Sequence, residues 1–309
     1  MPQSTKNQNH TGKNPAQYAP LYVVIFGVTF GTSIAMAKLG AIEGLSPMVL
    51  VFWQMLCAGI LLGITAWIKG QRPKLIPRHI RYYFIAGILG NAVPTTLTFI
   101  SAVKIGTGLT GLVYPLSPVF TYAFAALLGM DKFQPRKLVG LALGLMGALF
   151  IIATPLIVDG GENFAELPVI WLGIAFTIPI FLACGNIYRS RDWPPDTGSL
   201  PLASGMLIAT ALMLLPVLLL TQNFRFPDLS GSVIDWIIFG NILLSFIGFI
   251  VYFELQRTAG PVYFSQISYF ITITTMAFGA FLFDETLSPS IWIAIGMIFS
   301  GLYLVSKSR

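Results

Sequence analysis

Polar side chains embedded in apolar stretches are the residues of this sequence that could do chemistry, and they are few. Gln54, Asn91 and Asn241 each lie within a long hydrophobic run. Val113-Tyr-Pro-Leu-Ser-Pro118 sets Tyr114 and Ser117 beside two prolines, and Ser265, Gln266, Tyr269 and Thr272 recur at helical spacing. Amides and hydroxyls of this kind recognise a solute by hydrogen bonding; alone they neither cleave bonds nor hold a metal. The ionisable residues within the runs lie near their ends, at Lys38, Arg136, Lys137 and Glu254, and both histidines, His10 and His79, fall outside them. Proton-coupled carriers usually place a carboxylate or histidine along the route. Recognition is therefore expected to rest on neutral polar groups, aromatics and backbone, with Lys38 and Glu254 as candidate coupling or gating groups. The sequence holds no HExxH pair and no Walker A loop, so no catalytic residue, metal or cofactor is expected. Gly106-Thr-Gly-Leu-Thr-Gly111 has the spacing of a dinucleotide fingerprint. It joins two apolar runs where that motif needs a strand before it, and it reads as a flexible turn.

The elements that position these residues follow from composition. Of 309 residues, 55% are hydrophobic and only 10% charged, whereas a soluble domain carries roughly a quarter charged. The mean hydropathy is +0.78. Ten apolar runs can be read, at 19–39, 47–68, 82–102, 108–128, 135–153, 167–188, 200–221, 236–255, 261–283 and 289–306. About 20 apolar residues span a bilayer as a helix. The runs lack the alternation of a membrane barrel, so an all-α polytopic membrane protein with ten transmembrane helices is expected. The first 18 residues are polar and expected to be a disordered cytoplasmic tail, with no cleavable signal peptide. Cys57 and Cys184 fall inside runs and read as packing residues.

Fifteen of the 18 Lys and Arg residues fall on one side if the N-terminus is cytoplasmic, leaving Lys38, Lys104 and Arg225 on the other. This positive-inside bias predicts both termini in the cytoplasm of an inner (plasma) membrane. It also assigns the Lys69–Arg81 cluster to topology and anionic lipid, so no nucleic-acid partner is expected. The linker at 156–166 carries Asp159, Glu162 and Glu166 and no base, as an external loop should.

The chain repeats internally. Asp131-Lys-Phe-Gln-Pro135 matches Glu285-Thr-Leu-Ser-Pro289, Gly90-Asn91 matches Gly240-Asn241, and Phe30 to Lys38 aligns with Phe181 to Arg189. Halves at 19–155 and 167–306 each contain five runs, an odd number, so the second half should be inverted relative to the first. Inverted repeats around a midplane site are a common construction of alternating-access carriers.

These residues resemble the drug/metabolite transporter superfamily, in particular its EamA-type repeat, over residues 20–306. The resemblance rests on Gly260-Pro-Val-Tyr-Phe-Ser-Gln-Ile-Ser-Tyr269, Phe283-Asp-Glu285 and Gly296-Met-Ile-Phe-Ser-Gly301, with Gly106 to Pro118 and the Gly140, Gly144, Gly147 run in the first half. It implies ten helices, cytoplasmic termini, and export or exchange of amino acids or related metabolites. The chain departs from the pattern at Gln54, where the second helix of many relatives has arginine, and at Thr272, where the ninth often has proline.

The functional expectation is a secondary transporter of a small polar metabolite, with helices one to four and six to nine around the cavity. The alternative is a non-transporting scaffold, sensor or lipid-handling protein. Gln54, Asn91, Tyr114, Ser117, Asn241, Gln266, Tyr269 and Thr272 are the candidate substrate contacts. Pro115 and Pro118 free the carbonyls of Gly111 and Tyr114, which must find partners away from lipid. Asn91 and Asn241 could equally serve interhelical hydrogen bonds. The glycines of helices five and ten suit either intrachain packing or a homodimer seam. Cysteines placed beside Asp131 and Glu285 should react with impermeant reagents from opposite sides of the membrane; labelling from one side would remove the inverted arrangement.

Overall fold

The computed structural model describes residues 18–130, 134–158, 169–195, 197–222, 224–228, 230–264, 267–285 and 289–306. These residues form helices joined by short turns, with no strand among them. The first pass is α1 (Ala19–Ile42) and the second α2 (Pro47–Ile68). The third consists of α3 (Pro77–Gly87), a π segment (Ile88–Ala92) and α4 (Val93–Ile105), and the fourth of α5 (Thr107–Leu112) and α6 (Leu116–Leu127). Then follow α7 (Pro135–Val158), α8 (Val169–Arg191), α9 (Ser199–Leu220), α10 (Val233–Phe264), α11 (Ile267–Leu282) and α12 (Pro289–Ser306). Proline opens α2, α3, α7 and α12, where its missing N–H costs no intrahelical bond.

Seven of these passes are long and apolar enough to cross a membrane by length and composition, and α11 and Trp292–Gly301 are shorter apolar helices. Large apolar side chains remain exposed on the outside of the bundle, among them Ile64, Leu127, Leu220 and Phe281. Trp67, Trp236 and Trp292 stand near helix ends, as membrane-interface tryptophans do, and are exposed as well. An apolar exterior over an apolar core is what lipid requires of a polytopic helical protein.

Two boundaries differ from the sequence reading. The third pass starts at Pro77 rather than Tyr82, so His79 stands inside a helix, buried, with its Nε2 2.9 Å from Thr197 Oγ1. Residues 261–264, assigned above to the ninth run, continue α10. Yet α10 is not straight. The rings of Tyr252 and Phe264 lie 4.6 Å apart, whereas twelve residues of straight helix separate Cα atoms by about 18 Å. The helix therefore doubles back between them, where the sequence has Gly260-Pro261, and proline is a usual cause of such a kink. Asp131 and the linker positions 159–166 lie outside the described residues.

The interior is built by α1 against α10 and α11, α2 against α9, and α8 against α4 and α6. The α7–α12 pair packs to one side, touching α6. Its seam is the glycine run: a methyl group at Gly301 would stand 2.8 Å from the backbone nitrogen of Gly144 and overlap the Gly140 carbonyl. These glycines thus serve close approach within the chain, while Gly296 faces open space. Gly301→Val should lower the melting temperature in detergent, consistent with an overpacking cost of about 1–3 kcal/mol. Gly296→Ala on the same helix should leave it unchanged, and equal effects would remove the seam from the account.

Candidate functional site

The third pass is loosened where the polar residues gather. Pro94 cannot donate to the carbonyl of Gly90, and the ladder widens into the π segment that carries Gly90 and Asn91. The fourth pass is broken at Val113–Pro115, between α5 and α6. The freed carbonyls find protein partners, as lipid demands. Thr272 donates to the Gly111 carbonyl at 2.8 Å, and the Ser117 N–H donates to the Tyr114 carbonyl at 2.9 Å.

Between these broken passes lies a hollow of about 40 Å³, room for a few waters. It is walled by Asn91, Thr95, Tyr114 and Ser117 from the first half, and by Asn186, Tyr252 and Ser268 from the second. Phe26, Phe30, Phe249 and Phe264 complete an aromatic surround. Asn91 is 3% exposed and its Nδ2 has no hydrogen-bond partner. Tyr114 Oη lies 2.7 Å from Thr98 Oγ1, and Thr98 also donates to the Pro94 carbonyl, which fixes the phenol against α4.

Of the eight candidate contacts read from sequence, the structure gathers Asn91, Tyr114 and Ser117 around the hollow. Four stand elsewhere. Gln54 accepts from Ser245 Oγ at 3.2 Å, in the contact of α2 with α10. Asn241 donates to the Ser33 carbonyl at 3.3 Å, and Tyr269 packs its ring on Phe299. Thr272 is fully buried and committed to the backbone of α5. Gln54, Asn241 and Thr272 use their polar groups to join helices, a need that sequence cannot tell from solute contact. Gln266 lies outside the described residues.

Lys38 and Glu254 are separated from the hollow and from each other. Glu254 accepts from Ser199 Oγ at 2.7 Å and from Arg257 at 2.9 Å, beside a surface cleft shared with Tyr22 and Lys69. Lys38 Nζ stands 2.6 Å from Glu285 Oε1, with the side chains only 19% and 15% exposed. Glu285 also accepts from the backbone N–H groups of Thr107 at 2.8 Å and Gly108 at 2.9 Å. One carboxylate thereby ties α1, the start of α5 and the turn after α11. Gly106 makes this possible: its φ of +91° is a left-handed turn, and any Cβ there would crowd the carboxylate at 2.9 Å. The glycine motif set aside above as a flexible turn does cradle an anion, one that belongs to its own chain. Burial pushes the Glu285 carboxyl up, but the hydrogen bonds from Lys38, Gly108 and Thr107 outweigh it and hold the group below its ordinary value.

Sequence reading missed Arg189 altogether, having counted it among the loop bases. It is 0% exposed. Its Nε donates to Gln256 at 3.1 Å, and its Nη2 donates to Asn186 at 2.7 Å and Tyr252 at 2.6 Å. The signal that could have found it was present: Arg189 is the repeat equivalent of Lys38.

A comparison with known protein families matches the EamA-like transporter family twice, over residues 17–153 and 169–307. The Escherichia coli K12 protein "Uncharacterized inner membrane transporter YedA" is 27% identical over 301 residues, covering 95% of this chain and 92% of that one. A Chlamydia muridarum "S-adenosylmethionine/S-adenosylhomocysteine transporter" is 25% identical, covering 94% of both chains. A "Probable amino-acid metabolite efflux pump" of Salmonella typhimurium is 25% identical over 66% of this chain and 69% of that one. One crystal structure shares the fold, with a TM-score of 0.61 at 17% identity, covering 94% of this chain and 96% of the other. Apolar passes, loosened helices around a central hollow and a family match over nearly the whole chain lead to one conclusion: the chain belongs to the EamA-like transporter family.

Proposed function

We propose that the protein is an alternating-access carrier that exports or exchanges a small polar metabolite such as an amino acid or derivative. The observation that carries this reading is the small hollow into which both halves bring polar side chains. With both termini cytoplasmic, the Lys38–Glu285 contact closes the external end, because α1 runs outward to Lys38. Inversion of residues 167–306 relative to 19–155 then lets one half adopt the arrangement of the other, moving the opening across the membrane. Two relatives carry names that specify amino-acid derivatives as cargo, which supports the substrate class.

In this mechanism Asn91, Tyr114 and Ser117 contact the solute, and Lys38 with Glu285 forms the external gate. Glu254, tied to Ser199 and Arg257, sits at the opposite end of the bundle as a second, cytoplasmic gating position.

Counterflow in proteoliposomes tests the reading directly: preloaded unlabelled amino acid should drive uptake of label. A scaffold or sensor would show none. Asn91→Ala should raise the apparent KM about five- to tenfold, the loss of one buried hydrogen bond of about 1 kcal/mol. Asn241→Ala, which breaks a helix contact instead, should lower the melting temperature and leave KM unchanged.

The gate predicts a pH dependence. A carboxylate held below its ordinary value of about 4.5 contributes stability above that value and loses it as pH falls through the depressed one. The wild type should melt higher than Glu285→Gln in detergent at pH 7 and at pH 5. The difference should disappear well below pH 4.5; a difference unchanged at pH 3 would exclude the ionised carboxylate as its source.

A further inference from the structure

The geometry points to Arg189 as the recognition cation of the hollow, and hence to a solute bearing a single carboxylate on an apolar body. This rests on the carrier reading of the same hollow and goes beyond it by naming the group that is bound and the residue that binds it.

A guanidinium shut inside a membrane protein needs an anion. Arg189 is fully buried, yet among the described residues no carboxylate lies within ion-pair distance of it. Its three hydrogen bonds go to neutral oxygens, on Gln256, Asn186 and Tyr252. They satisfy N–H groups, and no described residue compensates the charge. Nη1 is buried with no partner at all. Such residues within membrane bundles mark substrate or ion routes, and an uncompensated buried charge is strongly unfavourable until an anion meets it.

The unpartnered nitrogen lies directly behind the wall of the hollow. A methyl group on Gly90 would overlap Arg189 Nη1, and Gly90 is part of the hollow's wall, as are Asn186 and Tyr252. Beside Gly90, the Nδ2 of Asn91 is a second buried donor with no acceptor. Tyr252 supplies a third. Its oxygen accepts from Arg189, so its own proton is free to be donated, and the guanidinium stands 5.3 Å from its ring. Donors on Asn91 and Tyr252 thus wall the hollow with the guanidinium directly behind them, and no described carboxylate meets its charge.

The shape of this set selects the ligand. A planar guanidinium matches the two oxygens of a carboxylate. A phosphate dianion would call for a second cation, and none of the described residues lining the hollow is one; Lys38 is engaged with Glu285 at the far gate. Phe26, Phe249, Phe264 and Ile271 are also part of the wall and suit an apolar body.

The test uses acid and amide pairs on the full chain: L-leucine with L-leucinamide, L-phenylalanine with L-phenylalaninamide, and 4-methylpentanoate with its amide. In detergent, at least one acid should raise the melting temperature with an affinity about tenfold or more above that of its amide. In Arg189→Gln that preference should fall to about one, while Arg189→Lys should keep part of it. A purely structural role for Arg189 would lower stability without changing the acid-to-amide ratio. The wild-type comparison stands even if Arg189→Gln fails to fold. Equal affinity for acids and amides, or no binding by any acid, overturns the assignment. Counterflow of the same compounds separates the two readings. Exchange of amides as readily as acids removes Arg189 as the recognition cation and keeps the carrier, whereas acids that bind but never exchange keep the site and remove the carrier.

Discussion

Inside lipid, a backbone hydrogen bond that is broken must be remade by protein, and this one constraint organises the molecule. The fourth pass shows it at its start and at its break. Thr272 meets the carbonyl released at Gly111, Ser117 meets the one at Tyr114, and Glu285 takes up the first amides of α5. The interruptions at Pro94, Pro115 and Gly260-Pro261 fall in the third, fourth and eighth passes. The second pass and the seventh, α9, pair with each other and leave the hollow to others. The hollow lies where the loosened passes leave space between them, and Asn91, Thr95, Tyr114 and Ser117 line it.

Much of this was legible in the sequence. Long apolar runs announce helices because only helices satisfy their own backbone, and proline marks the helix starts. The prolines near Tyr114 also exposed the need for partners at specific carbonyls. What could not be read was which polar residue turns toward solute and which toward a neighbouring helix. Gln54 and Asn91 are both buried amides in apolar runs, yet one bridges to Ser245 and the other borders the hollow. That difference depends on how helices rotate against one another, which hydropathy along a single chain does not encode. The paired asparagines show the limit clearly. Asn91 and Asn241 occupy equivalent places in the two halves, but Asn241 is tied to the Ser33 carbonyl while Asn91 keeps a free donor.

The same asymmetry governs the basic residues. Lys38 and Arg189 are repeat equivalents; the first is closed onto a carboxylate and the second is sealed in among neutral groups. Equivalent positions in different states are what a two-state carrier built from repeats requires, since the two halves cannot hold the same conformation at once. Charge counting along the sequence treated Arg189 as one more loop base. It is instead fully buried, with no carboxylate of a described residue paired to it.

The doubled-back end of α10 has a consequence for how the chain tolerates change in length. Tyr252 on the long arm and Phe264 on the short arm touch only because the number of residues around the corner sets the angle at which each ring emerges. Each residue of helix turns the next side chain by about 100°. One insertion at the corner would swing Phe264 to another face and strip an aromatic wall from the hollow, with every amino acid otherwise intact. Spacing there is thus under as tight a constraint as residue type, and indels should be far rarer at this corner than in the loops.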